Sequence, residues 1–581
     1  MTTTVESYAG SVADLLAKAS APGTDFEQII AIADQQRMAS GNEAWAMPKA
    51  FSLWQLKRPE EAMKAIDLAQ TVCCADSNFQ MLRGVIARQL PDKRGNSIAM
   101  DAYREAIRLS PNRDDAYYCL ANLLSESDEI ADAEVLYRRC LQLNPHQALA
   151  WHNLGRMMCF DDRHRQALPL LRQALILDPG FADGWCNLGL GWLGLKEYDR
   201  ALNCFYQAIS LDETHGATHI NIGNALISKL EPDEALRHLE RGAQLENSSA
   251  NSLWNLSLCY LLMGRFKEGW RYYESRFQTD MFGKTPMPTV GPRLTSLSQF
   301  PSLGEPPVVV FAEQGMGDSI QFFRYLFLLQ AMNIPFEFHS RGQLFRLFQE
   351  WSPFTRRIVE ERSTDPVQDS RPHVPLMSLP MVFGTEVDTV PSAVPFLHPN
   401  HPCPEHLRFE KPPGGLSVGV VWASNPDNKA MYKNKSLPLA VLMPCLLQLI
   451  DLDLIHLHSL QFGDDAAQLA PWSSHEGITV WKDRLSDFSE TAHVIQQLDL
   501  VISVDTAVAH LAGALNIPTW VLLPDNADFR WLRKITTCPW YPSMRLFRQP
   551  ERGNWAGLVD EVQEAFAEMT LLNLKEMANV A

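Results

Sequence analysis

The 581-residue chain has a formal net charge of −17, 46% hydrophobic residues and 20% charged residues. That balance belongs to globular domains, not to a disordered chain, and the length exceeds one core, so roughly two to four domains are expected. The acidic surplus argues against a nucleic-acid surface or an anionic-membrane patch, since both need clustered Lys and Arg.

The first residues, MTTTVESYAGSVADLL, lack a basic segment and include Glu6 and Asp14, so they do not read as a secretory signal. No apolar run reaches the roughly 18 residues that span a bilayer. Eleven cysteines are scattered without CxxC or Cys/His ligand spacing, which points to reduced thiols and a cytoplasmic protein. Residues 1–79 read as a helical region, in which PEEAMKAIDLA (59–69) fits the second helix of a divergent repeat.

From 80 to 280 the chain repeats. Pro111, Pro145, Pro179, Glu213 and Asn247 recur every 34 residues, the tetratricopeptide period. Ala121, Gly155, Gly189 and Gly223 are the small residues where helix A of each repeat meets helix B, and Ala133, Ala167, Ala201 and Ala235 fill the matching site on helix B. Trp151, Trp185, Leu120, Leu154, Leu188 and Ile222 supply large knobs. Such helix pairs stack into a superhelix with a concave binding surface. Asn153, Asn187, Asn221 and Asn255 share one repeat position. Amides in a row both donate and accept, so they form a candidate ladder for an extended acceptor peptide. The competing reading is that Asn is merely common there.

Residues 281–306 are rich in Pro, Ser and Gly and read as a linker. The following PVVVFAEQGMGDSIQFFRYLFLLQAMNIPFEFHS alternates strand (308–312), Gly loop, helix (319–332) and strand (335–339), opening a first α/β lobe over 307–400. Its lone Gly-x-Gly is weak evidence for phosphate, and Asp318 stands where a helix cap would. A second lobe, 401–581, opens with LSVGVVWASN, then a basic loop with Lys429, Lys433 and Lys435, a helix from about Leu439, and the strand DLIHLHSLQ. Its centre is VISVDTAVAHLAGALNIPTWVLL, a strand–turn–helix–strand unit of a parallel sheet. Asp505 and Thr506 sit at that helix's N-terminus, where backbone N–H groups and the dipole favour an anion, or where they simply cap it. His510 lies one turn on, over the same face. The final helix, 558–572, is expected to cross back onto the first lobe. The expected fold is therefore an all-α tetratricopeptide superhelix followed by two Rossmann-like α/β lobes facing across a cleft.

EQGMGDSIQF, VGVVWASNPDNK, KSLPL and VISVDTAVAHLAGALNIPTWVLLP together resemble the heptosyltransferase-type (GT-B) glycosyltransferases. Joined to tetratricopeptide repeats, the chain is similar to bacterial TPR-glycosyltransferases, including those that modify flagellin, and in layout to the eukaryotic O-linked N-acetylglucosamine transferases. The resemblance implies a metal-independent inverting transferase needing no cofactor beyond its nucleotide-sugar co-substrate. It makes Asp318 the general base, Lys435 the cation on the donor phosphate, and Ser503, Asp505, Thr506 and His510 the donor-binding run. The family's Gly after Asp-Thr is Ala507 here. Asn425 and Gln461 are expected to reach phosphate, base or ribose. The only Asp-x-Asp, Asp451–Asp453, flanks an apolar strand, so no metal site is expected. The flagellin-type likeness implies a CMP-nonulosonic acid such as pseudaminic acid as donor and flagellin as partner. Two other readings stay open. One is an NDP-sugar transferase acting on a glycan or lipid-linked acceptor. The other is a repeat scaffold with an inactive transferase domain, against which the joint presence of Asp318, Lys435 and Asp-Thr-x-x-x-His argues.

Overall fold

The computed structural model describes residues 11–91, 93–279, 287–360, 369–411, 415–426 and 429–580. The first part of the expected linker, 280–286, lies outside the described residues. The chain folds as two compact units, Met1–Thr218 and His219–Ala581. Among the described residues no helix is long and apolar enough to cross a membrane.

Among the described residues the regular elements of the first unit are all helices. Val12–Ala19 and Phe26–Ser40 lead in, each begun by a side chain accepting a backbone N–H, from Ser11 and Asp25 respectively. Pro59–Cys73 supplies the divergent repeat helix. Regular pairs follow at Asp114–Glu126 with Ile130–Leu143, Ala148–Phe160 with His164–Leu177, and Ala182–Gly194 with Tyr198–Leu211. The small positions allow close helix approach: a Cβ on Gly155 would come within 2.7 Å of Leu171 Cγ. Trp151 and Trp185 are half-buried, and they serve as more than knobs. Each indole N–H donates to the carbonyl of the proline six residues earlier, Pro145 at 2.8 Å and Pro179 at 3.0 Å. Tyr117 makes the same bond to Pro111. In these three repeats the proline and aromatic thus staple the turn to the helix it launches.

In the second unit the array continues through Pro232–Leu245, Ala250–Leu262 and Phe266–Tyr273. An array ending in a linker at 280 was the expectation. Instead these last helices fold with the α/β lobes, because their apolar faces complete the same core. Leu261, Leu262, Phe266, Trp270 and Tyr273 are buried among Phe322, Phe529 and Trp540. Arg533 and Arg552 donate to the carbonyls of Leu230 and Ser228, satisfying groups that a helix C-terminus leaves open. A chain begun near residue 284 is therefore expected not to fold, whereas one begun near Glu213 should show a single cooperative melt. Five buried side chains at about 1.5–3 kcal/mol each rival the ~5–15 kcal/mol stability of a whole domain. Recovery of a soluble, cooperatively melting 284–581 protein would overturn this.

Among the described residues the first lobe holds four parallel strands, β1 (Val308–Phe311), β2 (Phe336–Ser340), β3 (Ile358–Glu360) and β4 (His373–Pro375), in the order β3-β2-β1-β4. The second holds β5 (Leu416–Val421), β6 (Ile455–Ser459), β7 (Ile478–Val480), β8 (Leu500–Val504), β9 (Thr519–Leu523) and β10 (Met544–Arg548), in the order β10-β9-β8-β5-β6-β7, also parallel. Fully buried Val/Ile/Leu runs such as LVISV and TWVLL are what a parallel sheet covered on both faces requires. This is the GT-B-like arrangement. Strand order reverses at β1/β4 and at β5/β8, and ligands of such sheets sit outside the carboxyl ends at those points.

Three elements differ from expectation. The helix expected over 319–332 is two, Met316–Phe322 and Tyr325–Ala331, interrupted where Arg324 folds back to donate to the Gln321 carbonyl. Residues Lys429–Lys435 form a helix, not a loop. The last helix, Trp555–Val580, packs the part before residue 570 on its own lobe: Leu558, Val562 and Phe566 are buried there, with Phe566 4.7 Å from Trp520 of β9.

Candidate active site

Both reversal points carry the residues that matter. β1 ends at Phe311 and leads through Glu313-Gln314-Gly315 into Met316–Phe322, with Asp318 in the first turn. β8 ends at Val504, and Asp505 and Thr506 begin Ala507–Ala514. These two helices pack against each other across the lobes. A Cβ on Gly317 would lie 2.8 Å from His510 Cδ2, so the second glycine of Gly-x-Gly serves close helix approach and not phosphate.

The end of the repeat array sets the first loop. Arg276, fully buried, donates to Glu313 at 2.9 Å, to Glu274 at 2.7 Å and to Ser378 at 3.0 Å. Burial pushes the Glu313 carboxyl up, and Arg276 only partly offsets it. Tyr273 and Gln314 share hydrogen bonds through the Tyr273 hydroxyl.

Asp318 both caps and pairs. Its Oδ2 accepts the Gly315 N–H at 3.0 Å, and its Oδ1 lies 2.5 Å from Arg530 Nη2. Arg530, in the turn Phe529–Trp531 after β9, also meets Asp528 at 2.6 Å. Burial opposes the Arg530 charge, but Asp318 and Asp528 outweigh it and hold its pKa well above the ordinary value. No motif marked Arg530; the cue available was a polar loop, PDNADFRW, at the carboxyl end of a buried strand.

Asp505 and Thr506 do not cap with their side chains. Thr506 is the N-cap residue without a side-chain cap bond. The Asp505 carboxylate instead meets Lys435 Nζ at 2.5 Å, with the two side chains only 8% and 16% exposed. Burial pushes the Asp505 carboxyl up, yet Lys435 pulls it below the usual carboxylate range. Burial likewise works against the Lys435 charge, and Asp505 and Asp528 keep its pKa above the ordinary lysine value. His510 Nε2 stands 3.9 Å from Asp505, its Nδ1 is 3.2 Å from the Tyr541 hydroxyl, and its ring stacks 5.2 Å from Trp531. Burial drives the His510 pKa down to about 3, so it is a neutral imidazole near pH 7. Ser503 is buried, donating to the Val504 carbonyl and bonding Thr506 Oγ1, so it shapes the turn.

Gln461 has a different task from the ligand contact expected of it. At 4% exposure, its Oε1 accepts from Trp422 and Ala423 N–H at 3.0 and 2.9 Å, and its Nε2 donates to Ala423 and Phe462 carbonyls. Its amide is spent on fixing the segment after β5. Asn425, in that segment, is exposed. Lys433 is exposed as well, and the side chain of Lys429 lies outside the described residues.

Asn153, Asn187, Asn221 and Asn255 are all half-buried. Asn153 donates to Tyr118 and Asn122, Asn187 to His152 and the Asp183 carbonyl, and Asn255 to the Asn251 carbonyl. Asn255 also lines a cavity of about 300 Å³ with Asn224, Leu258, Leu262, Asp528 and Phe529. That cavity therefore borders the loop carrying Arg530.

Residues 485–547 match the glycosyltransferase family 9 (heptosyltransferase) model, and residues 114–157 and 182–215 match tetratricopeptide repeat models. The chain thus joins tetratricopeptide repeats to an α/β region in which one segment of the second lobe matches the family 9 glycosyltransferase model. The matched segment contains Ser503, Asp505, Thr506, His510 and Arg530, while Asp318 and Lys435 lie before it. FlbA of Caulobacter vibrioides is 27% identical over 334 residues, 53% of each chain, so this chain spans about half the length of that curated relative. Among solved structures, MamA is 23% identical over 30% of this chain and 94% of its own, with a TM-score of 0.27. YrrB, described as a TPR protein with an unusual peptide-binding site, is 19% identical over 33% of this chain and 97% of its own, with a TM-score of 0.28.

Proposed function

We propose that the chain is an inverting glycosyltransferase that moves a sugar from a nucleotide-activated donor to Ser or Thr hydroxyls of a protein held by its repeats. The observation that carries this reading is convergence: Asp318 at the β1 switch point pairs with Arg530, and the buried Lys435–Asp505 pair at the β5/β8 switch point lies within reach of the same Asp528 that holds Arg530, beside a segment that matches the family 9 model. In the transfer step Asp318 accepts the hydroxyl proton as the oxygen bonds the anomeric carbon from the side opposite the leaving group. The bond from that carbon to the phosphate oxygen breaks, and its electron pair leaves with the nucleotide. Lys435 and the N-terminus of Ala507–Ala514 stabilise the departing phosphate. Neutral His510 supplies shape and a hydrogen bond, not charge. A CMP-nonulosonic acid and flagellin are the donor and acceptor we would try first. The protein works in the cytoplasm on this reading, and no disulfide joins its eleven cysteines.

The direct test is intact-mass measurement of candidate acceptors after incubation with a panel of activated sugars. A mass increment matching one sugar on a Ser or Thr supports the proposal, and none across the panel counts against it. The peptide-ladder part has its own test. Asn153→Ala with Asn187→Ala should raise acceptor KM about 5- to 150-fold, from two lost amide bonds of about 0.5–1.5 kcal/mol each, with donor affinity unchanged. An unaltered KM in a double variant that melts like the parent would remove those two amides from the acceptor site.

A further inference from the structure

We propose that Arg530 is the positioning residue of the transfer centre: its guanidinium reaches from the second lobe to hold the Asp318 carboxylate of the first, and Asp528 holds the guanidinium. This rests on the reading of Asp318 as general base. Arg530 belongs to the second lobe and Asp318 to the first. The 2.5 Å pair between them is thus a junction between the two lobes, at the carboxyl ends of their sheets. The guanidinium is pinned on several sides. Asp528 Oδ1 accepts from both Nη1 and the Arg530 backbone N–H, at 2.6 and 3.1 Å, and the Phe529 ring lies 4.4 Å beneath the charge. Only 10% of the side chain is exposed.

Fold stability alone does not call for such a group. A buried ion pair is often replaceable by apolar packing without loss, so a two-carboxylate arginine at a lobe junction points to a need for orientation. That need is visible at Asp318. With Oδ2 on the Gly315 N–H and Oδ1 on Arg530, the carboxylate is fixed at both oxygens and cannot swing. Each oxygen keeps a second lone pair for an acceptor proton. A planar fork does this where a lysine, a point charge on a flexible stem, does not. A carboxylate misplaced by about 1 Å loses roughly 100-fold in rate. Asp528 forms part of the wall of the cavity lined by Asn224 and Asn255. One chain of contacts, Asp528 to Arg530 to Asp318, therefore links that wall to the base.

The experiment uses the full chain and measures kcat at saturating donor and acceptor, with nucleotide affinity by calorimetry. Arg530→Met should lower kcat about 100-fold while nucleotide affinity stays within about twofold, and Arg530→Lys should recover only part. Guanidinium added to Arg530→Ala should restore some turnover. Asp528→Asn should show a smaller loss in the same direction, and the double variant with Arg530→Met should be no worse than Arg530→Met alone, as expected of residues acting in one chain. The control is Arg346→Gln. Arg346 pairs with Glu350 on its own lobe and with Asp487 and Glu490 on the other, and shares no partner with Asp318. Wild-type kcat in Arg530→Met, an equal loss in Arg346→Gln, or a loss confined to nucleotide affinity would each overturn the proposal. If Asp318→Asn itself turns over normally, the base reading fails and takes this inference with it. If Asp318→Asn is inactive and Arg530→Met is not, only the positioning role falls.

Discussion

Asp318→Asn is expected to lower kcat for sugar transfer by about 100- to 10,000-fold with nucleotide affinity nearly unchanged, the range that a positioned general base supplies. The reasoning is local. Asparagine keeps an oxygen that can accept the Gly315 N–H, so the first turn of Met316–Phe322 stays capped. What it loses is the negative charge and the lone pair that takes a proton. Arg530 keeps Asp528 as a partner, so the substitution does not strand a buried cation. Asp318→Glu should fall in between, because one extra methylene displaces the carboxylate while keeping its chemistry. A structural role would give the opposite pattern. If Asp318 serves only the fold, Asp318→Asn should melt earlier, through the lost charge beside Arg530, and still turn over at the parent rate. Single-turnover kinetics alongside thermal melting separates the two outcomes.

The parts of the molecule that were legible in the sequence are those where one physical demand recurs. Each repeat needs a small residue at its crossing and several staple the turn with an aromatic, so Gly155, Gly189, Gly223, Trp151 and Trp185 announce the period. Strands buried on both faces need unbroken β-branched runs, so β8 and β9 stand out by composition alone. What stayed hidden depends on partners distant in the chain. Phe266 and Trp270 look like ordinary repeat residues, and only the fold shows that they finish the α/β core. Gly317 gives only a weak phosphate signal in the sequence, and its task becomes visible once His510 is found against it. Gln461 reads as a polar side chain beside a cleft, but two backbone N–H groups at the end of β5 claim its oxygen. Arg530 lies 212 residues from Asp318, in a turn whose sequence carries no recurring pattern. Spacing within one element is written locally; pairing across two lobes is not.

Lys435→Met is expected to do two things at once, and separating them decides the role of the lysine. Asp505 is almost fully buried, and its carboxylate relies on Lys435. Removing the cation leaves an uncompensated buried charge, a loss of about 3–5 kcal/mol by the usual behaviour of such pairs. Nucleotide binding should also weaken, by roughly 10- to 100-fold, if one charge-assisted hydrogen bond to phosphate is lost. An ammonium has three donors, and among the described residues Asp505 is the one carboxylate bonded to it, so Asp505 can orient the lysine and still leave N–H groups for a phosphate oxygen. The double variant Lys435→Met with Asp505→Asn removes both charges and should regain most of the lost stability. Its nucleotide affinity should stay low, because nothing in the pair then faces the phosphate. Lys433→Met, an exposed lysine on the same short helix, should bind nucleotide like the parent. Thermal melts and calorimetry on the three variants read both quantities. Recovery of affinity together with stability in the double variant would mean that Lys435 serves only to neutralise Asp505, and the phosphate would then have to be held by the N-terminus of Ala507–Ala514.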